Sequence, residues 1–419
     1  MSMDTPAKIA VLGAGPMGLE VGLYARYLGY DVVLLERDEV AAHVLKWGHL
    51  RMFSPFSQLC SPLGLAALRA QDSDYSPPQM DAQLTGRQWV DQYLYPLART
   101  DLLVDHIECG AAVQGVARSC FLKTQRGEPA ERANDTFCIL VRRSDGSETI
   151  ETADIVIDAT GVYGHPNWCG PGGIPARGEQ RLHGRIEYGV PDILGTERSR
   201  YEAQRVLVIG SGLSAAATTV ALSKLVDRVP QTEVTWVTHA VPDAPESGPI
   251  RLAQFDPLSQ RRRLAEMANK LAQDTRPRLT HLAGRAVEAF DFDAASEEFL
   301  VWLDGDTQPR CLDRVIANVG YRGDPSLYAE LQVASHPRTG GALAVGNYLD
   351  DLARSNDAPQ RRPATWTLTT EPHFHVLGAK SYGRDSSFLM PAGHQQIRDV
   401  FSIIGDRTSL DLYATMHDP

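Results

Sequence analysis

The apolar residues of this chain fall into short runs separated by glycines and polar turns, and two of these runs share one design. In KIAVLGAGPMGLEVG an apolar run over 9–12 meets Gly13, Gly15 and Gly18, and helical spacing follows. In RVLVIGSGLSAAATTV the run over 206–209 meets Gly210, Gly212 and Ala215, again followed by helical spacing. Each pattern predicts a strand, a tight turn and a helix whose N-terminus seats a pyrophosphate. Two such units in one chain predict two bound dinucleotides and electron transfer between them.

The residues of the first turn divide the work. Gly13 permits the tight turn, Gly15 lets backbone approach phosphate, and Gly18 lets the helix pack closely on the sheet. Pro16 stands at the helix entry, where it forfeits no helix hydrogen bond. A second apolar strand over 32–35 ends in Glu36, where an acid accepts hydrogen bonds from the ribose of a bound adenosine. In the second unit Ser214 and Ala215 open the helix, and the strand over 234–238 ends at His239 with no acid; Glu233 lies at its other end. Arg251 and the run Arg261-Arg262-Arg263 carry guanidinium groups suited to a 2′-phosphate. The run also reads as a solvated helix face. The pattern favours NADPH over NADH, with NADH left open.

Periodicity organises the rest. Trp89, Val90, Tyr93, Leu94 and Leu97 predict a helix over 84–98. Alternation over 111–118, 137–142 and 148–152, with Ser144-Asp145-Gly146 between the last two, predicts a β-meander. A strand over 155–159 runs into Thr160-Gly161, and a similar return over 315–322 leads to Asp324-Pro325. Residues 71–82 read as a surface loop and 162–200 as a Gly/Pro-rich connector. Towards the C-terminus a strand over 374–377 precedes a helix from about Gly393.

The pattern GxGPxG followed by Glu36 resembles the FAD-binding turn of flavoprotein pyridine-nucleotide oxidoreductases. GSGLSA resembles the NAD(P)H turn of flavin-containing monooxygenases, Ala159-Thr160-Gly161 resembles the ATG return of that superfamily, and the C-terminal segment resembles that of the N-hydroxylating flavoproteins acting on ornithine or lysine. The resemblance covers most of the chain in motif order. It implies an α/β fold of two Rossmann-like domains, with an NAD(P)H domain (196–325) inserted in a discontinuous FAD domain (1–195 and 326–419). It implies that Thr160, Gly161 and Ser387 lie near FAD and that 44–70 runs beside the flavin ring. Trp47, Arg51, Met52 and Phe53 become candidates to touch flavin or substrate, Met52 and Phe53 reading equally well as core. His373, His375, Lys380, Tyr382 and Arg384 become candidates to face the substrate. Trp47, Arg51 and Tyr382 are the catalytic candidates, Arg51 serving also as a cofactor contact.

The implied reaction is hydride transfer from NADPH to FAD, reaction with O2 to a C4a-hydroperoxide, and oxygenation of nitrogen or sulfur on a small molecule. Two departures stand out. The connector lacks the monooxygenase pattern FxGxxxHxxxW/Y: Arg177 and Glu179 hold the Phe and Gly positions, Tyr188 comes one residue late, and His183 reads as a surface histidine. Asn318-Val319 replaces the usual Ala-Thr. These leave open an NADPH-dependent reductase passing electrons to a quinone or small acceptor. A non-catalytic flavin-bound scaffold is the third reading, and the intact second turn argues against it.

Composition narrows the classes. The 52 acidic residues outnumber the 41 basic ones, giving a formal charge of −11, which disfavours nucleic acid as a partner. No run of about eighteen apolar residues spans a membrane, the first strand begins too early to leave room for a signal peptide, and the expectation is a cytoplasmic protein, with a homodimer left open. The six cysteines (60, 109, 120, 138, 169 and 311) include no CxxC or CxxxxC pair for dithiol exchange. The histidines of 373–375 lack a third ligand, so no metal is expected.

Overall fold

A computed structural model describes residues 7–125, 128–239, 248–251, 258–274, 277–354 and 364–416. The chain divides into two compact units, one built from 1–165 and 321–419, the other from 166–320.

The first unit is centred on five parallel strands in the order Phe374–Val376, Ile155–Asp158, Lys8–Leu12, Asp31–Glu36, Ile107–Cys109. The Lys8–Leu12 strand is covered on both faces. Ile9 and Val11 pack with Leu19 and Leu23 of helix Pro16–Tyr27 and with Ile397 and Val400 of helix Met390–Ile404. Ala10 and Leu12 point the other way, into Phe137, Ile139 and Val141 of an antiparallel meander Ala111–Arg118, Phe137–Arg143, Glu148–Ala153. A continuous apolar run is what a strand buried on both faces requires. The C-terminal helix begins at Met390, three residues before the expected Gly393, because Pro391 sits in its first turn, where its missing N–H costs nothing.

The helix expected over 84–98 runs from Gly86 to Ala98 with a π turn over Val90–Leu94. Thr85 and Gln88 form a reciprocal capping box at its start. Pro96 cannot donate to the Gln92 carbonyl four residues back, and the Tyr75 hydroxyl takes that place at 2.9 Å. Burial pushes the Tyr75 hydroxyl up to about 12, which keeps it a donor.

The second unit repeats the plan with four parallel strands, Leu279–Ala283, Glu233–Thr238, Arg205–Ile209 and Arg314–Ala317. Val206 and Val208 pack beneath helices Leu213–Arg228 and Ser259–Gln273. Leu207 and Ile209 pack on an antiparallel sheet, Val287–Asp293, Glu298–Leu303 and Arg310–Leu312. Sequence reading missed that sheet, although Phe299, Val301 and Leu303 alternate inward along it. The domain boundaries differ from those expected. Residues 166–195 belong with the second unit: Leu182, Ile186 and Tyr188 join its core, and Glu187 exchanges backbone hydrogen bonds with Val315 (3.0 Å) and Ala317 (2.7 Å). Residues 321–325 belong with the first unit.

One ionic cluster ties the first unit's C-terminal segment to its meander. The Glu371 carboxylate, with no exposed side-chain surface, receives Nε of Arg118 at 2.9 Å, Arg132 in a two-pronged contact at 2.9 Å, and the Gln332 N–H at 2.8 Å. Burial alone would raise its pKa; Arg132, the Gln332 N–H and Arg118 outweigh burial and hold it below the ordinary range. Glu371 therefore stabilises the fold above its unfolded-state pKa and loses that contribution as pH falls through its lower folded value. Glu371→Gln is expected to cost about 3–5 kcal/mol, since it leaves two guanidinium groups buried without their carboxylate. Urea unfolding at pH 7 measures the loss, and the variant should show a shallower decline of stability between about pH 5 and 3.

Candidate functional site

The two turns predicted from glycine spacing correspond hydrogen bond by hydrogen bond. The Gly13 N–H donates to Leu35 O at 2.8 Å, and the Gly210 N–H donates to Val237 O at 3.0 Å. The Ala159 N–H donates to Leu12 O at 3.0 Å, and the Asn318 N–H donates to Ile209 O at 2.8 Å. A Cβ on Gly13 would lie 3.2 Å from Ala159 O, and one on Gly210 would lie 2.2 Å from Asn318 O. Both glycines have positive φ, +93° and +136°. These contacts equate Gly15 with Gly212, Gly18 with Ala215, Glu36 with Thr238, Asp158 with Ala317, and Ala159-Thr160-Gly161 with Asn318-Val319-Gly320.

Gly15 and Gly212 cap their helices with extended backbone, and a Cβ on either meets nothing within 4 Å. Neither helix has an acid in its first turn, so the positive end of each dipole is unopposed there. Gly18 does something different. A Cβ there would sit 1.8 Å from Gly13 O, so its role is to bring helix and turn together.

The first turn opens onto a cavity of about 380 Å³ lined by Gly13, Gly15, Pro16, Glu36, Thr160 and Gly161, with Ala111–Val113, His43, His165 and Asp324 completing the wall. Glu36 is anchored by two backbone donors, the Ala14 N–H at 2.8 Å and the Asp38 N–H at 2.9 Å. Each carboxylate oxygen keeps a further acceptor site for a ligand hydroxyl. Burial, then the nearby Lys46 and Arg37, push His43 down to about 4, so its imidazole is neutral at pH 7. Asp324, noted in sequence only as the end of a return, is a wall carboxylate 3.5 Å from His165 Nε2. Burial raises its pKa, and Ser326, His165 and Lys380 outweigh burial to hold it low.

The remaining candidates lie elsewhere. Arg51 is exposed, and its guanidinium donates to Gln83 O beside the Arg51–Thr85 bridge. Trp47 is half-buried, its ring 6.2 Å from Tyr163. Tyr382 is buried against Phe388 in a cluster with Ala342, Val345 and Trp366, and it reads as core. Ser387 is exposed, with its hydroxyl and N–H on Asp385. Met52 is half-buried against the main core. His183 is exposed and stacks on Tyr188 at 4.8 Å. In the second unit Ser214 is exposed and Ala215 fully buried. Arg251 is exposed next to Ile250, whose backbone pairs both ways with the buried Asn269 amide. Arg261 and Arg262 are half-buried and Arg263 exposed along helix Ser259–Gln273.

Sequence reading also gave Asp158 no role and named Lys380 only as a substrate-facing residue. The structure buries both, with Lys380 Nζ 2.5 Å from Asp158 Oδ2 and 2.9 Å from Thr160 Oγ1.

The glycines separate fold from ligand space. Gly15→Ala is expected to leave the melting temperature close to wild type, because its φ is ordinary and its Cβ enters open space. Gly18→Ala is expected to lose about 1–3 kcal/mol or more by overpacking against Gly13. Thermal unfolding of the two variants side by side checks the contrast.

No family model matches this chain, and no curated protein does. Solved structures resemble it over nearly its whole length. Bacillithiol disulfide reductase Bdr (YpdA) from Bacillus cereus is 17% identical with a TM-score of 0.66, covering 96% of this chain and 99% of that one. The ornithine N-hydroxylase KtzI from Kutzneria sp. 744 is 17% identical with a TM-score of 0.58, covering 96% and 100%. The cadaverine monooxygenase DfoA from Erwinia amylovora is 14% identical with a TM-score of 0.58, covering 96% and 95%. The chain thus has the fold shared by these flavoprotein disulfide reductases and N-hydroxylating monooxygenases.

Proposed function

We propose that this protein is a cytoplasmic FAD-dependent oxidoreductase reduced by NADPH, and that it oxygenates a nitrogen or sulfur atom of a small molecule. The observation that carries the reading is the pair of equivalent glycine turns, one in each unit, each with open space above an unopposed helix N-terminus. KtzI, described with FAD and NADP+, and DfoA, described with FAD, share the fold.

The residues present fit the two dinucleotides. Gly13, Gly15 and Pro16 would hold the FAD pyrophosphate, Glu36 would accept from its ribose, and Thr160 and Gly161 would close the cradle. Gly161 has φ +71°, and a Cβ there would meet nothing within 4 Å, as a close backbone approach to a ligand requires. Gly210, Gly212, Ser214 and Ala215 would hold NADPH in the second unit. Thr238 occupies the position equivalent to Glu36, so no carboxylate opposes a 2′-phosphate there, and Arg251 would supply its charge partner. When bound, FAD supplies the redox chemistry, accepting hydride and passing electrons to O2. The protein contributes binding, orientation and exclusion of water.

The thiols argue against dithiol relay. None of the six cysteines lines the first-turn cavity. Burial pushes Cys60 up to about 11 and Cys169 well up, burial and Glu36 raise Cys109, and Asp135 raises Cys120. Exchange chemistry needs the opposite shift. A reductase passing electrons to a quinone or other small acceptor remains the second reading, favoured by Arg177 and Glu179 at the connector's Phe and Gly positions.

Anaerobic mixing with NADPH is expected to bleach the flavin, with NADH slower. Subsequent mixing with isotopically heavy oxygen gas and a panel of amines and thioethers is expected to give a product carrying one labelled atom. Complete conversion of O2 to hydrogen peroxide with every substrate, together with rapid quinone reduction, would instead establish the reductase. Gly212→Leu is expected to retain FAD yet lose reduction by NADPH at least about a hundredfold, since its side chain fills the pyrophosphate's approach. Unchanged reduction kinetics would place the nicotinamide cofactor elsewhere.

A further inference from the structure

The turn that closes the first-unit cavity is held by a closed ring of charged and polar groups. Thr160 donates its N–H (3.0 Å) and its hydroxyl (2.7 Å) to Asp158 Oδ1. Lys380 donates to Asp158 Oδ2 (2.5 Å) and to Thr160 Oγ1 (2.9 Å). The Lys380 and Asp158 side chains are 2% and 0% exposed. The Lys380 stem lies against Gly323, where a Cβ would stand 3.0 Å from its Cγ, and its ammonium lies 5.2 Å from the Tyr328 ring centroid. The short helix Ala379–Tyr382 that carries Lys380 is fixed in turn: Gln396 accepts the Gly378 N–H at 2.8 Å and donates to Ser381 Oγ at 2.8 Å.

The second unit shows that the turn does not need these charges in order to form. There the same backbone geometry is built with Ala317 in place of Asp158 and Asn318 in place of Ala159. Among the described residues the Asn318 side chain bonds neutral groups, accepting from the Thr218 hydroxyl at 2.7 Å and donating to Gly189 O at 2.6 Å. A buried ion pair, moreover, gains little net stability over apolar packing. The ring is therefore an addition specific to the first turn, and what it fixes is Thr160, a residue of the cavity wall.

We propose that Lys380 is a positioning residue of the first dinucleotide site: its ammonium orients the Thr160 hydroxyl and, with Asp158, sets the Ala159–Thr160–Gly161 backbone in the arrangement that receives FAD. This rests on the FAD reading above. It assigns Lys380 to the cofactor turn and away from the substrate.

The test is titration of flavin-free protein with FAD, followed by flavin fluorescence, alongside thermal unfolding of the same flavin-free samples. Thr160→Val removes only the hydroxyl, and the paired change Lys380→Met with Asp158→Asn removes both charges at similar volume. Each is expected to weaken FAD binding at least about tenfold, the scale of a lost charged hydrogen bond. Flavin-free Thr160→Val should remain folded, its melting temperature lowered by no more than a few degrees, the scale of one lost buried hydrogen bond. All three changes together are expected to weaken binding no more than the paired change alone, because the groups act as one unit. Wild-type FAD affinity in either variant, or losses that multiply, would overturn the proposal. If the paired variant fails to fold, Thr160→Val decides alone. Wild-type protein that takes up no FAD would overturn the FAD reading as well, whereas normal uptake by wild type and variants alike overturns only the role of Lys380.

Discussion

At Gly210 the carbonyl of Asn318 lies where a side chain would begin, 2.2 Å from a Cβ, and at Gly13 the carbonyl of Ala159 crowds the same point at 3.2 Å. The rest of each unit depends on that approach. A strand returning from far along the chain must pair in parallel with the strand before the turn, which favours glycine at the point the returning carbonyl approaches. Once the crossing is made, the helix after the turn is aimed across the strand ends, and its unpaired N–H groups face the crevice. Gly18 tightens the first copy further. Ala215, its counterpart, shows that the second copy tolerates a methyl group at the same point.

This constraint is also why so much was legible in the sequence. Glycine at 13 and 210 is required by positive φ, a local demand of the turn that leaves a fixed spacing. The strands on either side are buried on two faces, so they appear as unbroken apolar runs. The meander of 111–153 was legible for the opposite reason, its inward and outward positions alternating. The antiparallel sheet of the second unit carries the same alternation at Phe299, Val301 and Leu303, in a strand of six residues.

What was not legible depends on partners far apart in sequence. Arg118 meets Glu371 across 253 positions and Asp158 meets Lys380 across 222. Nothing in either neighbourhood marks these residues as a pair. Tyr382 and Arg51 carry chemistry suited to a site, and the resemblance places their segments near one. The first is enclosed by Trp366 and Phe388, and the second spends its guanidinium on a backbone carbonyl at the surface. The boundary at 195 failed similarly: a Gly/Pro-rich stretch reads as a linker, but Glu187 pairs with the strand at Val315–Ala317 and draws its neighbours into the second unit's core.

The first unit's sheet ends at Phe374–Val376, which adds to the open edge of Ile155–Asp158. Synthesis of the chain therefore delivers the second unit whole, as one uninterrupted stretch, while the first unit waits with an unpaired strand edge. During that interval the edge is a template for wrong partners, and Asp158 at its end has no cation. Residues made after the second unit supply the missing strand, then Lys380, then the helix from Met390. The order of emergence from the ribosome thus makes the segment from 374 onward the piece that closes the sheet begun first. A chain truncated before residue 374 would carry both glycine turns and a complete second unit, yet expose an edge strand that the whole chain covers.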